Sequence, residues 1–154
     1  MSYWDSSALV KLYVREPDSA EFRALASKAS RLTTGSITRH EVRTVLRRRE
    51  AEGVLPSGEA AALYGELNAD IAATDIMIQS ETADMEREFG VVLDKCFSQT
   101  PPIFIRTNDA LHLASAKVAG ELEFITGDVR QRAAALLMGS RCFLSALFVS
   151  FSSI

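Results

Sequence analysis

Short β-prone segments alternate along this chain with longer segments of helical periodicity. The β-prone segments cover residues 2–4, 31–34, 76–78 and 121–126, and the segments between them place apolar side chains three or four positions apart. Strands separated by helices pair in parallel. Each helix packs on a face of the sheet and returns the chain to the end at which the preceding strand began, so the next strand runs in the same direction. The pattern therefore predicts an α/β sandwich, in which helices cover a parallel sheet.

The length and composition indicate one globular domain. With 154 residues, 47% of them hydrophobic, the chain can bury a single core, so we expect one domain over residues 1–154 and exclude an intrinsically disordered chain. The formal net charge of −3 excludes a protein that binds nucleic acid through a broadly cationic surface. Any contact with nucleic acid must therefore be local.

The ends of the chain predict where the protein resides. The N-terminus lacks the basic and apolar regions of a secretory signal, so we expect a cytoplasmic protein that does not associate with a membrane. The longest apolar-rich stretch, residues 142–151, is about half of the length that a membrane-spanning helix needs, and we expect it to form a strand. Cys96 and Cys142 have apolar neighbours and match no metal-ligand spacing, so both are expected to be reduced thiols in the core.

Four carboxylates occupy positions where a ligand site is expected. Asp5 and Asp128 each lie where a predicted strand ends and a helix begins, which is the edge of a parallel sheet where ligands bind. Asp109 begins a helix over residues 108–119 that is apolar nearly all the way round. Glu41 lies among apolar residues on the inward face of its predicted helix. An Asp at the start of a helix is also a favoured cap, so capping stays open for the three aspartates.

Convergence of these carboxylates requires a cation, because buried like charges repel one another. Oxygen ligands of this kind are preferred by Mg²⁺ and Mn²⁺. The two histidines, His40 and His112, form no zinc-binding cluster, and no GxSxG motif indicates a serine hydrolase. We interpret His112 as a core residue with a hydrogen-bond partner, and a role in proton transfer stays open.

Four sequence blocks combine the acidic residues with their neighbours. They are YWDSSALVKLY at residues 3–13, SITRHEV at 36–42, RTNDALHLASA at 106–116 and FITGD at 124–128. These blocks resemble the motifs of PIN-domain nucleases, in particular those of the VapC-like toxins, and occur in the family's order. The first and third blocks are moderately specific, the second and fourth are weak alone, and the four together are a strong signal.

The resemblance implies a PIN-like three-layer sandwich, in which a central parallel sheet of four or five strands is flanked by helices. It also implies an acidic pocket that holds one or two Mg²⁺ or Mn²⁺ ions. The residues implied are Asp5, Glu41, Asp109 and Asp128 as metal-binding and catalytic groups, with Ser7 and Thr126 at the pocket wall. The chain departs from the family pattern at residues 140–154, which form an atypical apolar tail.

By the same resemblance, the chain would be a VapC-like toxin, an endoribonuclease that cleaves RNA by metal-activated water and leaves a 5′-phosphate. Its partners would be an RNA substrate, a second copy of the chain in a homodimer, and a cognate VapB-like antitoxin that places a basic side chain among the acids. Two other functions stay open. One is a non-catalytic PIN-fold binding module, and the other is a structure-specific DNA nuclease or phosphatase.

Arginine supplies 13 of the 17 basic residues, and its guanidinium binds phosphate through paired hydrogen bonds that lysine cannot make. Arg47 and Arg48 lie in a cluster of arginines on one predicted helix. Contact with a substrate or partner and a solvated face paired with nearby glutamates are equally weighted interpretations of that cluster. Arg106, three residues before Asp109, is placed either to meet substrate or to pair with an acid of the pocket.

Overall fold

The computed structural model describes residues 1–143 and residue 145, and within them the chain forms five strands and seven helices. The strands are β1 (Ser2–Trp4), β2 (Leu32–Gly35), β3 (Ile76–Gln79), β4 (Glu123–Ile125) and β5 (Arg141–Cys142). The helices are α1 (Ser6–Tyr13), α2 (Ser19–Ala26), α3 (Thr38–Ala51), α4 (Glu59–Ala72), α5 (Ala83–Phe97), α6 (Thr107–Val118) and α7 (Val129–Leu137).

The described strands form one parallel sheet in the order β3-β2-β1-β4-β5, which confirms the predicted parallel sheet. The chain adds strands on one side of β1 as far as β3, and then adds β4 and β5 on its other side. The connection that leaves β1 therefore runs towards the β3 edge of the sheet, and the connection that leaves β4 runs towards the β5 edge. The crevice at the carboxyl ends of β1 and β4 is the place where sheets of this topology bind ligands.

Alternate side chains of the central strands face opposite layers of helices. Trp4 of β1 and Ile125 of β4 belong to a buried cluster with residues of α1, α2, α3 and α4. Tyr3 and Phe124, their neighbours in the chain, belong to a second cluster with residues of α5, α6 and α7, and their rings stack with centroids 5.4 Å apart. Helices thus cover both faces of the sheet, which confirms the three-layer α/β sandwich.

The fourth strand is shorter than the predicted segment 121–126 because the preceding helix ends in a tight turn. Gly120 has a φ of 72°, and the backbone N–H of Glu121 donates to the carbonyl of Ala116, at 3.0 Å. This is the left-handed termination in which glycine avoids the steric cost that other residues meet. Glu121 therefore belongs to the turn, and pairing with β1 begins further along the chain.

The strand predicted over residues 142–151 is described only at its start, where Cys142 belongs to β5 and pairs with β4. Residues 144 and 146–154 lie outside the described residues. Cys96 and Cys142 are free thiols, the first buried and the second half-buried against the α5–α7 side of the core. Within the described residues, no helix has the length and apolar character needed to cross a membrane.

Candidate functional site

Four acidic residues carried by different elements line one cavity. Asp5 follows β1 and Asp128 follows the adjacent β4, so both lie at the crevice between these strands. Glu41 lies in the first turn of α3, after β2, and Asp109 lies in the first turn of α6. The cavity has a volume of about 350 Å³ and is lined by Asp5, Ser6, Ser7, Glu41, Arg106, Thr107, Asn108, Asp109, Asp128 and Gln131. The fold therefore brings together the four carboxylates that the sequence singles out.

Asp5 is 1% exposed, and both of its carboxylate oxygens accept hydrogen bonds. Oδ1 accepts from the backbone N–H of Ala8, at 2.8 Å, and from Ser7 Oγ, at 2.7 Å, while Oδ2 accepts from Thr126 Oγ1, at 2.5 Å. Asp5 thus caps α1, as the capping interpretation predicts, while it also lines the cavity. Burial raises the pKa of Asp5, against the opposing effects of His112 and of these hydrogen bonds.

Glu41 is held by two side chains of α6. Asn108 Nδ2 donates to Oε1 at 2.8 Å, and His112 Nε2 lies 2.7 Å from Oε2. Because a carboxylate only accepts hydrogen bonds, the proton of the second bond is on His112 Nε2. Burial raises the pKa of Glu41, but hydrogen bonds from His112, Ser6 and Asn108 outweigh it and lower this pKa from 4.5 to about 2. Glu41 is therefore a carboxylate at neutral pH.

A buried tyrosine supports His112 from the other side of the ring. The Tyr3 hydroxyl lies 2.9 Å from His112 Nδ1, and the exposure of the two residues is 0% and 1%. The tyrosine hydroxyl donates to Nδ1 when the ring carries only the Nε2 proton, and it accepts from Nδ1–H when the ring carries both protons. Gly35 leaves room for this hydroxyl, because a Cβ at that position would lie 2.7 Å from it. His112 is thus the hydrogen-bonded core residue that the sequence predicts, and one of its partners is a carboxylate of the cavity.

Arg106 bridges the other two carboxylates. Its Nε donates to Asp109 Oδ2 at 2.8 Å, and its Nη2 donates to Asp128 Oδ2 at 3.1 Å. Asp128 also caps α7, because its Oδ1 accepts from the backbone N–H of Arg130 at 2.8 Å. Arg106 is interpreted from the sequence either as a substrate contact or as the partner of an acid, and the structure shows it paired with acids. The capping interpretation holds for Asp128 and is wrong for Asp109. Arg106 occupies the N-cap position of α6 and makes no side-chain capping bond in the described part of the chain, and Asp109 lies within the first turn.

The donor set suits a hard divalent cation, because Mg²⁺ and Mn²⁺ prefer carboxylate oxygens. Each of the four carboxylates already accepts hydrogen bonds from the protein. Within residues 1–143 and 145, no three acidic, histidine or cysteine side chains lie close enough together to form a ready-made metal centre. The residues therefore fit such an ion by their chemistry, and its binding requires some of these hydrogen bonds to open.

A second cavity, of about 570 Å³, continues from the first along α3, and we call the two together the groove. The residues that line both parts are Ser6, Ser7, Glu41, Arg106 and Asn108. His40 and Arg48 line the second part. Arg47 is not among the lining residues of either part and pairs instead with Glu50 at 2.9 Å, as the interpretation of a solvated helix face predicts. The groove thus has a cationic side chain of α3 beside the acids.

Asn108 and Gln131 line the cavity, although the sequence motifs assign no role to either of them. Asn108 precedes Asp109 and binds Glu41, and Gln131 Nε2 donates to the carbonyl of Asp109 at 3.3 Å. Each lies within three residues of a predicted acid, in the first turn of a helix that begins at this edge of the sheet. This position beside a predicted acid is the sequence signal that could have identified Asn108 and Gln131, because polar side chains of one helical turn lie close together.

Replacement of Glu41 with glutamine is expected to reduce the loss of stability on acidification. The folded-state pKa of Glu41, about 2, lies below the ordinary 4.5, so its contribution to stability is present above the ordinary pKa and disappears as the pH falls towards 2. The free energy of unfolding, measured with urea from about pH 5 to about pH 2.5, should therefore fall more steeply in the wild type than in Glu41→Gln. Parallel pH profiles of the two chains would contradict this.

The matched control for that experiment is Glu86→Gln. Glu86 is exposed on α5 and does not line the cavity. Its replacement removes the same charge from the chain, so general electrostatic effects of the substitution are the same. The pH profile of Glu86→Gln should follow that of the wild type.

The sequence matches the family model of the PIN domain over residues 2–137. None of the curated proteins matches the chain. Among solved structures, VapC20 of Mycobacterium tuberculosis, a toxin that cleaves the sarcin-ricin loop, is 22% identical, with a TM-score of 0.64 over 87% of this chain and 95% of that chain. FitAcB of Neisseria gonorrhoeae is 18% identical, with a TM-score of 0.67 over 94% of this chain and 97% of that chain.

A third similar structure is that of VapBC2 of Rickettsia felis, bound to a DNA fragment from its promoter. It is 16% identical, with a TM-score of 0.63 over 93% of this chain and 98% of that chain. At these identities, the likeness to the three structures shows a shared fold. Their coverage extends over nearly the whole of each chain, so the central sheet and both helical layers belong to the shared part.

Proposed function

Because this chain belongs to the PIN-domain family, we propose that it is a Mg²⁺- or Mn²⁺-dependent endoribonuclease, a VapC-like toxin that cleaves RNA phosphodiester bonds. PIN domains are generally nucleases. The observation that carries the proposal is the convergence of Asp5, Glu41, Asp109 and Asp128 on one cavity at the carboxyl edge of the sheet. Carboxylates gathered in this way suit a divalent cation, and such a cation can also offset charge at a reacting phosphate.

These four carboxylates would hold one or two ions. A bound Mg²⁺ or Mn²⁺ supplies Lewis acidity that offsets charge on the reacting phosphate and activates water for attack. The chain itself supplies orientation. The hydroxyls of Ser7 and Thr126 fix Asp5, and the side chains of Asn108 and His112 fix Glu41. Phosphoryl transfer depends on positioning and charge stabilisation, so groups that fix the carboxylates contribute to the rate without touching the substrate.

We propose that Arg48 binds the phosphate backbone of the RNA beside the cleavage site. It lies in the second part of the groove, on the same helix as Glu41. A substrate that reaches the four carboxylates carries negative charge into a negative cavity, so it needs cationic guidance nearby. Arginine meets this need because its planar guanidinium contacts phosphate through two hydrogen bonds.

Replacement of Arg48 with glutamate is therefore expected to weaken RNA binding and to flatten its salt dependence. Removal of one phosphate-binding cation should reduce the slope of log K against log salt by about 0.7 for a single strand. The slope is measured by fluorescence anisotropy of a labelled RNA in chelator, where cleavage does not occur. The matched control is Arg47→Glu, which makes the same charge change on the neighbouring residue outside the groove. Equal slopes for wild type and Arg48→Glu would contradict a role for Arg48.

We also propose two protein partners, a VapB-like antitoxin and a second copy of the chain. Complexes of toxins with antitoxins are among the proteins of similar fold, including one from Klebsiella pneumoniae. The acidic groove complements a basic side chain of an antitoxin, which would bind the carboxylates and block the metal ions. Co-purification of a small partner encoded beside this chain supports the antitoxin, and toxicity unchanged by any neighbouring gene would contradict it.

The proposal is tested by a substrate panel with the purified chain. RNA, single-stranded DNA and a generic phosphoester are each incubated with Mg²⁺, with Mn²⁺ and with a chelator. The proposed function predicts cleavage of RNA in either metal. Cleavage of DNA or of the phosphoester in its place would favour a DNA nuclease or phosphatase, and no cleavage of any substrate would favour a non-catalytic binding module.

A further inference from the structure

Arg106 covers two of the four carboxylates from the solvent side. Its Nε lies 2.8 Å from Asp109 Oδ2, and its Nη2 lies 3.4 Å from Asp109 Oδ1 and 3.1 Å from Asp128 Oδ2. The side chains of Asp109 and Asp128 are 13% and 23% exposed, whereas that of Arg106 is 65% exposed. The guanidinium is thus the most exposed of the three groups, and it occupies oxygens of both carboxylates.

The guanidinium and a divalent cation compete for the same oxygens. Both oxygens of Asp109 face Arg106. Asp128 Oδ2 also faces Arg106, while Asp128 Oδ1 accepts from the backbone of α7. In the described part of the chain, each oxygen of these two carboxylates thus has a protein donor, and Arg106 is the donor to three of the four oxygens.

Release of Arg106 requires little change in the fold. The residue precedes α6 in an extended conformation, with φ of −82° and ψ of 157°, so no helical hydrogen bond depends on its side chain. Exposed ion pairs contribute little stability, because water and salt replace the missing partner. The hydrogen bonds of Asp5 are buried by comparison. The bridge made by Arg106 therefore opens more readily than the hydrogen bonds of Asp5.

We propose that Arg106 is a counter-cation built into the chain, which closes the site without metal and leaves Asp109 and Asp128 when a divalent cation binds. The inference rests on the proposed function, because it concerns the same metal site. Loss of the guanidinium should strengthen metal binding for two reasons. A competing cation is removed, and the negative charge of the cavity increases.

The inference is tested by titrating Mn²⁺ into the purified full chain and measuring the free ion by electron paramagnetic resonance. Arg106→Gln is expected to bind Mn²⁺ about tenfold more tightly than the wild type. Arg106→Lys keeps the charge but loses the planar fork that spans two carboxylates, so its affinity should lie between these two. The midpoint of thermal unfolding gives a second measurement, because tighter binding to the folded chain gives a larger rise on addition of Mn²⁺.

Arg87→Gln is the matched control. Arg87 pairs with Asp84 on α5 at the same three-residue spacing, its side chain is 67% exposed, and neither residue lines the cavity. Its replacement should leave the affinity for Mn²⁺ unchanged. A tenfold effect in Arg106→Gln that is absent from Arg87→Gln then reports the bridge and not the loss of any exposed arginine.

Three outcomes would overturn the inference, and they separate it from the function on which it rests. Equal Mn²⁺ affinities of wild type and Arg106→Gln, with RNA cleavage intact, contradict the counter-cation and leave the proposed function standing. Equal affinities of wild type and Arg106→Lys, with tighter binding by Arg106→Gln, assign the effect to charge alone and contradict the bridge. Absence of both Mn²⁺ binding and RNA cleavage in every chain contradicts the proposed function and this inference with it.

Discussion

Asp109→Asn is expected to reduce the rate of Mg²⁺-dependent RNA cleavage by about 10²–10³-fold while the chain stays folded. The amide has nearly the shape of the carboxylate but lacks its charge, and it offers one acceptor oxygen in place of two. Asp109 lies in the first turn of α6, where its side chain contacts Arg106 and no capping bond depends on it among the described residues. The loss should therefore appear in the cleavage rate, measured with saturating RNA, and not in the unfolding transition.

Asp84→Asn is the matched control for this experiment. Asp84 lies in the first turn of α5 and pairs with an arginine at the same three-residue spacing as Asp109, but it does not line the cavity. Its replacement should leave cleavage within twofold of the wild type, as expected for an exposed residue remote from the site. Full activity of Asp109→Asn would contradict the assignment of Asp109 to the reaction.

Asp5→Asn is the less informative variant at the same site. Asp5 both caps α1 and lines the cavity, and an amide nitrogen in place of Oδ2 would face the hydroxyl of Thr126 as a second donor. Replacement of a helix cap typically costs about 1 kcal/mol of stability. A loss of activity in Asp5→Asn would therefore combine an effect on folding with an effect on the reaction.

His112→Leu is expected to lower the free energy of unfolding by about 2–4 kcal/mol, because it removes two hydrogen bonds, one to a buried hydroxyl and one to a carboxylate. The Tyr3 hydroxyl is fully buried, and its hydrogen bond of 2.9 Å to the imidazole is removed. The 2.7 Å hydrogen bond to the Glu41 carboxylate is removed as well, so one of the two α6 donors that hold Glu41 is gone. We therefore expect lower stability in urea unfolding together with slower RNA cleavage at a temperature where the variant is folded.

Two further variants, His40→Leu as a control and His112→Gln as a conservative replacement, test whether the effect of His112→Leu comes from the hydrogen bonds of His112. His40 is exposed on α3, so its replacement should change the free energy of unfolding by less than about 0.5 kcal/mol. Glutamine at position 112 keeps a donor and an acceptor, so it should recover part of both the stability and the cleavage rate. Stability and activity of His112→Leu equal to those of the wild type would show that the hydrogen bonds of His112 to Tyr3 and Glu41 contribute neither to stability nor to cleavage.

A double-mutant cycle of His112→Leu with Tyr3→Phe separates the two contacts of the histidine. Residues in direct hydrogen-bond contact usually couple by about 0.5–3 kcal/mol. If Tyr3 acts through His112, Tyr3→Phe should lower the free energy of unfolding less in the His112→Leu background than in the wild type. Additive changes in the free energy of unfolding would contradict this coupling.

The positions of Asp5 and Asp128 could be predicted from the sequence because each depends on short-range information. A β-prone segment ends, an aspartate follows, and a helix begins, so the acid lies at the carboxyl edge of a parallel sheet whatever the order of its strands. The cap position and the predicted ligand position are the same position. The structure therefore confirms that both residues are caps and that both line the cavity, and their role in metal binding stays a prediction.

The contacts of Glu41 could not be predicted in the same way, because they depend on how α6 packs beside α3. Asn108 and His112 lie 67 and 71 residues from Glu41 in the sequence. Periodicity places Glu41 on an inward face but does not say which helix that face meets. The pairing of Arg106 could not be predicted either. It depends on the distance to Asp128, which lies 22 residues away on another element.

The difference between Arg47 and Arg48 is also a matter of packing. Both are exposed arginines on the outer side of α3, and the sequence gives them equal weight. Arg48 lies on the side of the helix that faces the groove, whereas Arg47 lies beside Glu50. A rotation of about 100° between neighbouring residues of a helix is enough to separate a position that lines the groove from a solvated ion pair.

The central claim is metal-dependent cleavage of RNA by the four carboxylates, and the chemistry of the product ends tests it most directly. RNA cleaved by the purified chain in Mg²⁺ is analysed for its new 5′ and 3′ ends, with chelator and with metal restored after chelation. We expect 5′-phosphate ends with Mg²⁺, no cleavage in chelator, and recovery when Mg²⁺ or Mn²⁺ is restored. Cleavage that continues in chelator, or products that carry a 2′,3′-cyclic phosphate, would contradict it.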